Sequence, residues 1–166
     1  MLGLGGSIAT SKKGITSEVI VVNTFDELKI KEKEMKGNIV LFNALFTNYE
    51  ETVTYRFHGA SKAASFGAKA SLVRSIGPWS MNIPHTGVMA YDEKYPKIPH
   101  AALTMEDAMM LGRLYDRGEK IIIKLYMEAQ TLPDRWSKNI ISELVGSTFP
   151  DEVIVIGGHI DSWDVG

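Results

Sequence analysis

Short apolar runs alternate with amphipathic stretches along most of this chain. Glu18 to Val22 is rich in β-branched residues and reads as a strand. Thr24-Phe25-Asp26-Glu27 follows as a capping box, in which the Thr24 hydroxyl accepts the Glu27 N–H and the Glu27 carboxylate reaches back. A helix is expected from there to about Lys36, with Gly37 closing it. Phe25, Leu28 and Met35 form its narrow apolar stripe, and the charges alternating between them mark a solvated face. Asn38 to Phe42 is the next strand.

From Glu51 to Gly67 two periods compete. Val53, Tyr55 and Phe57 alternate as in a strand, while Val53, Phe57, Ala60 and Ala64 share one helical face. Length favours the helix, since about 16 residues is long for a strand. The alanines of the second half agree with that choice. Lys69 to Ser75 reads as a strand. Gly77 to Pro99 holds four of the six prolines and reads as a long loop. Thr104 opens a helix with Glu106 and Asp107 in its first turn, and Gly118 closes it. Ala108, Leu111, Leu114 and Tyr115 form its buried face. Glu119 to Met127 is a further strand.

Leu132-Pro133-Asp134 reads as a boundary. Beyond it, Lys138 to Val145 and Glu152 to Ile156 are expected as strands joined by a turn over Gly146 to Asp151. The order of elements gives an α/β class. The chain divides into a glycine-rich connector over 1–17, a compact module over 18–131 and the opening of a second unit over 132–166.

Composition narrows the function classes. The chain has 166 residues, of which 45% are hydrophobic and 23% charged, as in a folded domain. Eighteen Lys+Arg against twenty Asp+Glu leave a net charge of -2, which lacks the cationic excess of a nucleic-acid binder. No stretch approaches the roughly 20 apolar residues of a membrane span. Cysteine is absent, which removes disulfides, thiolate zinc ligands and thiol catalysis. Gly3 and Gly5 half-match a dinucleotide fingerprint. Its third glycine would fall at Ile8, and no strand precedes the loop, so a flexible connector is the expected role. The same glycines interrupt the first apolar run, which also lacks the basic leader of a secretory signal.

The candidate chemistry lies near the C-terminus. Val153-Ile154-Val155-Ile156 is apolar at every position, as in a strand buried on both faces. Gly157 and Gly158 follow where ligands bind in α/β sheets, beyond the carboxyl end of a strand. His159 then emerges, with Asp161 two residues on and on the same side in extended chain. A carboxylate that holds one ring nitrogen of a histidine fixes the tautomer and leaves the other nitrogen for a metal. The triplet alone fits equally a turn in which His159 is merely hydrogen-bonded, because a catalytic zinc needs about three protein ligands.

The longer motif is more particular. Gly157-Gly158-His159-Ile160-Asp161-Ser162-Trp163-Asp164-Val165-Gly166 resembles the first zinc-site motif of the co-catalytic zinc exopeptidases. Met1-Leu2-Gly3-Leu4-Gly5, Phe25-Asp26-Glu27-Leu28, Pro84-His85-Thr86-Gly87 and Pro96-Lys97-Ile98-Pro99 are similar to the same family. The stretch from Gly59-Ala60 to Gly67-Ala68 is similar to the protease-associated domain inserted in those peptidases.

The resemblance implies a protease-associated-type module over 18–131, followed by the first strands of a phosphorylase/hydrolase-like zinc-exopeptidase domain. It implies His159 as a zinc ligand and Asp161 as its supporting carboxylate. It implies two zinc ions in the complete enzyme, short peptides or dipeptides as substrates and a secreted or lysosomal location, and it is compatible with a homodimer. The family's bridging Asp, its Glu-Glu pair and its remaining Asp and His ligands are expected beyond Gly166. The chain is therefore expected to be a middle piece, inactive alone. The other class of function is a non-catalytic interaction or lid module.

The remaining histidines and cations have plainer expectations. His58 falls in the ambiguous helix and is expected on the surface or packed. His85 and His100 flank the proline-rich loop, and His85 is the candidate substrate contact because long loops carry function. Arg74 and Lys97 are able to neutralise a substrate carboxylate, though a solvated surface charge is the default for both.

Overall fold

The computed structural model describes residues 1–79 and 82–162. Six strands and four helices follow one another as β1 (Leu2–Gly3), β2 (Ile15–Val22), α1 (Phe25–Ile30), α2 (Glu32–Met35), β3 (Ile39–Phe42), α3 (Tyr49–Ala64), β4 (Ala70–Arg74), β5 (His100–Leu103), α4 (Met105–Asp116) and β6 (Ile122–Leu125). They build one sheet in the order β1-β5-β4-β3-β2-β6. The inner four strands are parallel, while β1 and β6 run antiparallel along the two edges. The fold class is thus α/β, as expected.

Both faces of the sheet are covered, which is why the inner strands are apolar almost continuously. Ile20, Val22, Val40, Phe42 and Val73 face α1, α2 and α3, where Leu28, Met35, Ala60 and Ala63 meet them. Val19, Val21, Ile39, Leu41 and Leu72 face the other way, against Ala108 of α4 and Ile121, Leu125 and Met127. Helix α3 sits close because its inner face is small. A Cβ at Gly59 would lie 3.0 Å from the Phe42 ring and 3.2 Å from His100 Cε1. The buried stripe runs through Thr52, Arg56, Gly59, Ala60 and Ala63, so Val53 and Phe57 are only half-buried.

The cap of α1 forms as expected at one end of the box only. The Glu27 N–H donates to Thr24 Oγ1 at 3.1 Å, but the Glu27 carboxylate accepts from the Asn23 N–H, at 2.9 Å. Thr24→Ala is expected to cost about 1 kcal/mol, read as a shift in the denaturant midpoint. A loss below ~0.3 kcal/mol would mean that the Asn23–Glu27 contact suffices to hold this end. The expected single helix to Lys36 is two pieces. Lys31 breaks it with φ -93 and ψ 19. Its ammonium turns inward to donate to the Val21 carbonyl at 2.9 Å and sits 4.6 Å from the Tyr115 ring centroid.

Three further expectations change. First, residues 1–17 are no loose connector. Leu2–Gly3 pairs with β5, Leu4 is buried, the Ser7 hydroxyl accepts the His100 N–H at 2.9 Å, and β2 already begins at Ile15. Second, His100 to Leu103 is a fully buried strand with no strand pattern in its sequence, because its apolar residues are mostly alanine. Third, Lys138 to Val145 and Glu152 to Ile156 form no strands, and all residues from 131 to 162 are exposed. A strand needs neighbours for its backbone groups, and the sheet ends at β6 and β1 with neither segment beside it. The expected turn is present, closed by the Glu152 N–H to the Phe149 carbonyl at 3.1 Å.

Candidate functional site

The C-terminal motif forms a local pair. His159 Nδ1 and Asp161 Oδ1 are 3.0 Å apart, as their period-two spacing anticipates. A carboxylate oxygen accepts, so Nδ1 is the donor, and in the neutral ring Nε2 is then the nitrogen with the lone pair. The hydrogen bond from His159 holds the Asp161 carboxyl below the usual carboxylate range. Asn139 and Ile140 join residues 157–161 around an open cleft of about 550 Å³. Among the described residues no three His, Asp or Glu side chains gather as a metal site. The continuation Trp163-Asp164-Val165-Gly166 lies outside the described residues.

The other candidates sit in the sheet module. His58 is exposed, edge-on to Phe57 with ring centroids 4.9 Å apart. His85 is half-buried in the proline-rich loop. Its N–H donates to Ser75 Oγ at 2.7 Å, which ties the loop to the end of β4. Burial first, and then the nearby Arg56 charge, lower its pKa against an opposing hydrogen bond from the ring to the Ile76 backbone carbonyl. The imidazole is therefore neutral at pH 7. His100 is fully buried. Its Nε2 faces the Arg56 carbonyl at 3.1 Å and must donate, so Nδ1 accepts from the Ser71 hydroxyl at 2.8 Å. These contacts fasten α3 to two neighbouring strands, and the side chain is a structural one. Lys97 is exposed over the Tyr91 ring. Arg74 is buried, contrary to the surface reading.

Arg56 went unnoticed in the sequence. It is 5% exposed and has no acidic partner among the described residues. Its guanidinium donates to the Thr86 carbonyl at 3.0 Å and to Tyr49 Oη at 2.9 Å. Gly87 permits this clamp on the loop, since a Cβ there would stand 2.5 Å from Arg56 Cζ. The signal was available: Thr52, Arg56, Gly59 and Ala63 follow the inner-face spacing of α3.

No protein-family model matches the chain. The chain is 54% identical over all 166 residues to carboxypeptidase Q of Xenopus laevis, and 49% identical to that of Homo sapiens. This chain resembles part of carboxypeptidase Q. It spans 35% of the length of those curated relatives. A solved structure of a peptidase M28 precursor from Shewanella amazonensis SB2B is also similar. It shares 30% identity with a TM-score of 0.69, over 75% of this chain and 30% of that one. Both of these similar proteins are named as peptidases. No helix among the described residues is long and apolar enough to cross a membrane.

Proposed function

We propose that this chain is part of a zinc-dependent exopeptidase of the carboxypeptidase or dipeptidase type, with His159 a metal ligand and Asp161 the carboxylate that orients it. The observation that carries the reading is the 3.0 Å contact between His159 Nδ1 and Asp161 Oδ1, which leaves Nε2 for the metal. Neutral imidazole with a carboxylate behind it suits zinc. Zinc, when bound, supplies polarisation of the scissile carbonyl and activation of water. The chain's own residues hold one position of that metal. The other ligands and the general base, two zinc ions in all, belong to sequence beyond Gly166.

Residues 18–131 serve as the protease-associated module that narrows access to the site, and His85 is the candidate contact to a short peptide. The proposal carries a secreted or lysosomal location and a homodimer for the complete enzyme. A second reading, a non-catalytic lid or interaction module, is favoured by the complete two-faced core that residues 1–130 form by themselves.

Metal analysis tests the proposal. The 166-residue chain is expected to bind zinc weakly and to turn over no dipeptide, since one ligand holds no catalytic metal. Tight, stoichiometric zinc with turnover, both lost in His159→Ala, would overturn the assignment of the missing ligands. In the longer protein, Asp161→Asn is expected to weaken zinc roughly 10- to 100-fold by competition with a chelator. Unchanged zinc there would favour the lid reading.

A further inference from the structure

The proline-rich loop is fastened around an arginine. The His85 N–H donates to Ser75 Oγ at 2.7 Å, and Thr86 Oγ1 donates to the Gly3 carbonyl at 3.1 Å. The Gly5 N–H donates to the Gly87 carbonyl and the Met89 N–H to the Gly5 carbonyl, each at 2.9 Å. Those contacts hold the loop from the segment around β1 and from the end of β4. Arg56 holds it from α3. Its guanidinium donates to the Thr86 carbonyl at 3.0 Å and to Tyr49 Oη at 2.9 Å, and lies 5.8 Å from the Tyr49 ring centroid.

Packing alone would not select an arginine here. The side chain is 5% exposed, and no ion pair offsets its charge among the described residues. An apolar residue of similar length would fill the space without desolvating a charge. What the guanidinium adds is a planar fork, which binds two acceptors in fixed directions. One acceptor belongs to the loop and the other to α3 itself. The loop is shaped to receive this fork. Gly87 has φ +146, and a Cβ there would stand 2.5 Å from Arg56 Cζ, so a side chain at this position would displace the guanidinium.

The anchored carbonyl belongs to the residue after His85. The Arg56 charge also lies near enough to the imidazole to help lower its pKa, second to burial. Moving the guanidinium therefore moves the backbone that carries this imidazole. We infer that Arg56 is a positioning residue: it fixes the Thr86 carbonyl and so aims His85 at a short peptide, without touching the peptide itself. The inference rests on the reading of His85 as the peptide contact.

Arg56→Lys tests the fork, because it keeps the charge and presents a single point donor. In the 166-residue chain, hydrogen exchange at the His85 and Met89 amides is expected to quicken roughly fivefold, with the amides of Ala60 and Ala63 in α3 unchanged. In the longer protein loaded with zinc, KM for alanylalanine is expected to rise roughly fivefold, with kcat within about twofold of its starting value. His85→Ala is expected to raise KM at least as much, and adding Arg56→Lys to it is expected to raise KM no further. An arginine that served stability alone would lower the thermal midpoint and leave KM where it was. Tyr49→Phe removes one partner of an intact Arg56. It is expected to move KM the same way by less, and it serves where Arg56→Lys does not fold. A rise with His85→Ala but none with Arg56→Lys or Tyr49→Phe overturns the positioning role and leaves the peptide contact standing. No change with His85→Ala overturns the contact, and the positioning role with it. Effects that add in the double variant, or loop amides that exchange as before in Arg56→Lys, overturn the positioning role too.

Discussion

Acidification from pH 6.5 to 4 is expected to destabilise the fold by about 3 kcal/mol through His100 alone. Complete burial pushes this imidazole from 6.5 down to about 4, against hydrogen bonds with Ser71, Arg56 and Tyr55 that act the other way. The unfolded chain therefore binds a proton across that window while the folded chain does not. The stability that neutral His100 contributes is complete above pH 6.5, falls steadily as the pH drops towards 4, and changes no further below it. His85 shifts in the same direction, so the comparison must be with His100→Gln rather than with the pH curve alone. Urea unfolding of both proteins at several pH values reads the difference. If the two curves stay parallel between pH 6.5 and 4, His100 is reached by water or changes partners, and the argument from burial fails.

Phe42→Ala is expected to cost about 3–5 kcal/mol, a large share of the 5–15 kcal/mol of a typical domain. Phe42 is fully buried at the end of β3. Its ring meets Phe25 edge-on with centroids 5.5 Å apart, and Tyr55 at 6.0 Å. Aromatic pairs of this kind add to what burial alone supplies. The hole left by the ring would face Gly59, which has no side chain to move into it. Chemical denaturation measures the loss. A value under ~1.5 kcal/mol would show that α3 collapses towards the sheet and that the close fit at Gly59 is not rigid.

The inner strands and helices were legible because their signals are local. Val19 to Val22, Ile39 to Phe42 and Leu72-Val73 are apolar runs bounded by polar residues, and Thr24 and Thr104 cap their helices through their own hydroxyls. What escaped was non-local. Nothing near Leu2 or Ser7 in sequence says that they join β5, about a hundred residues away. The helix break at Lys31 depends on the carbonyl of Val21 and the ring of Tyr115. Val153 to Ile156 carries the pattern of a buried strand yet is between 80% and 92% exposed, since a pattern records preference and pairing requires a neighbour.

The same division holds for the site. The sequence by itself determined the His159–Asp161 pair, because residues two apart in extended chain meet without help from the rest of the fold. It also determined the likeness to the zinc exopeptidases, which resides in short motifs. Only the tertiary structure decided that Arg56 and Arg74 lie inside, the first of them clamped to the proline-rich loop. Charge is written in the residue, but burial is decided by what packs over it, and here that covering comes from segments distant along the chain.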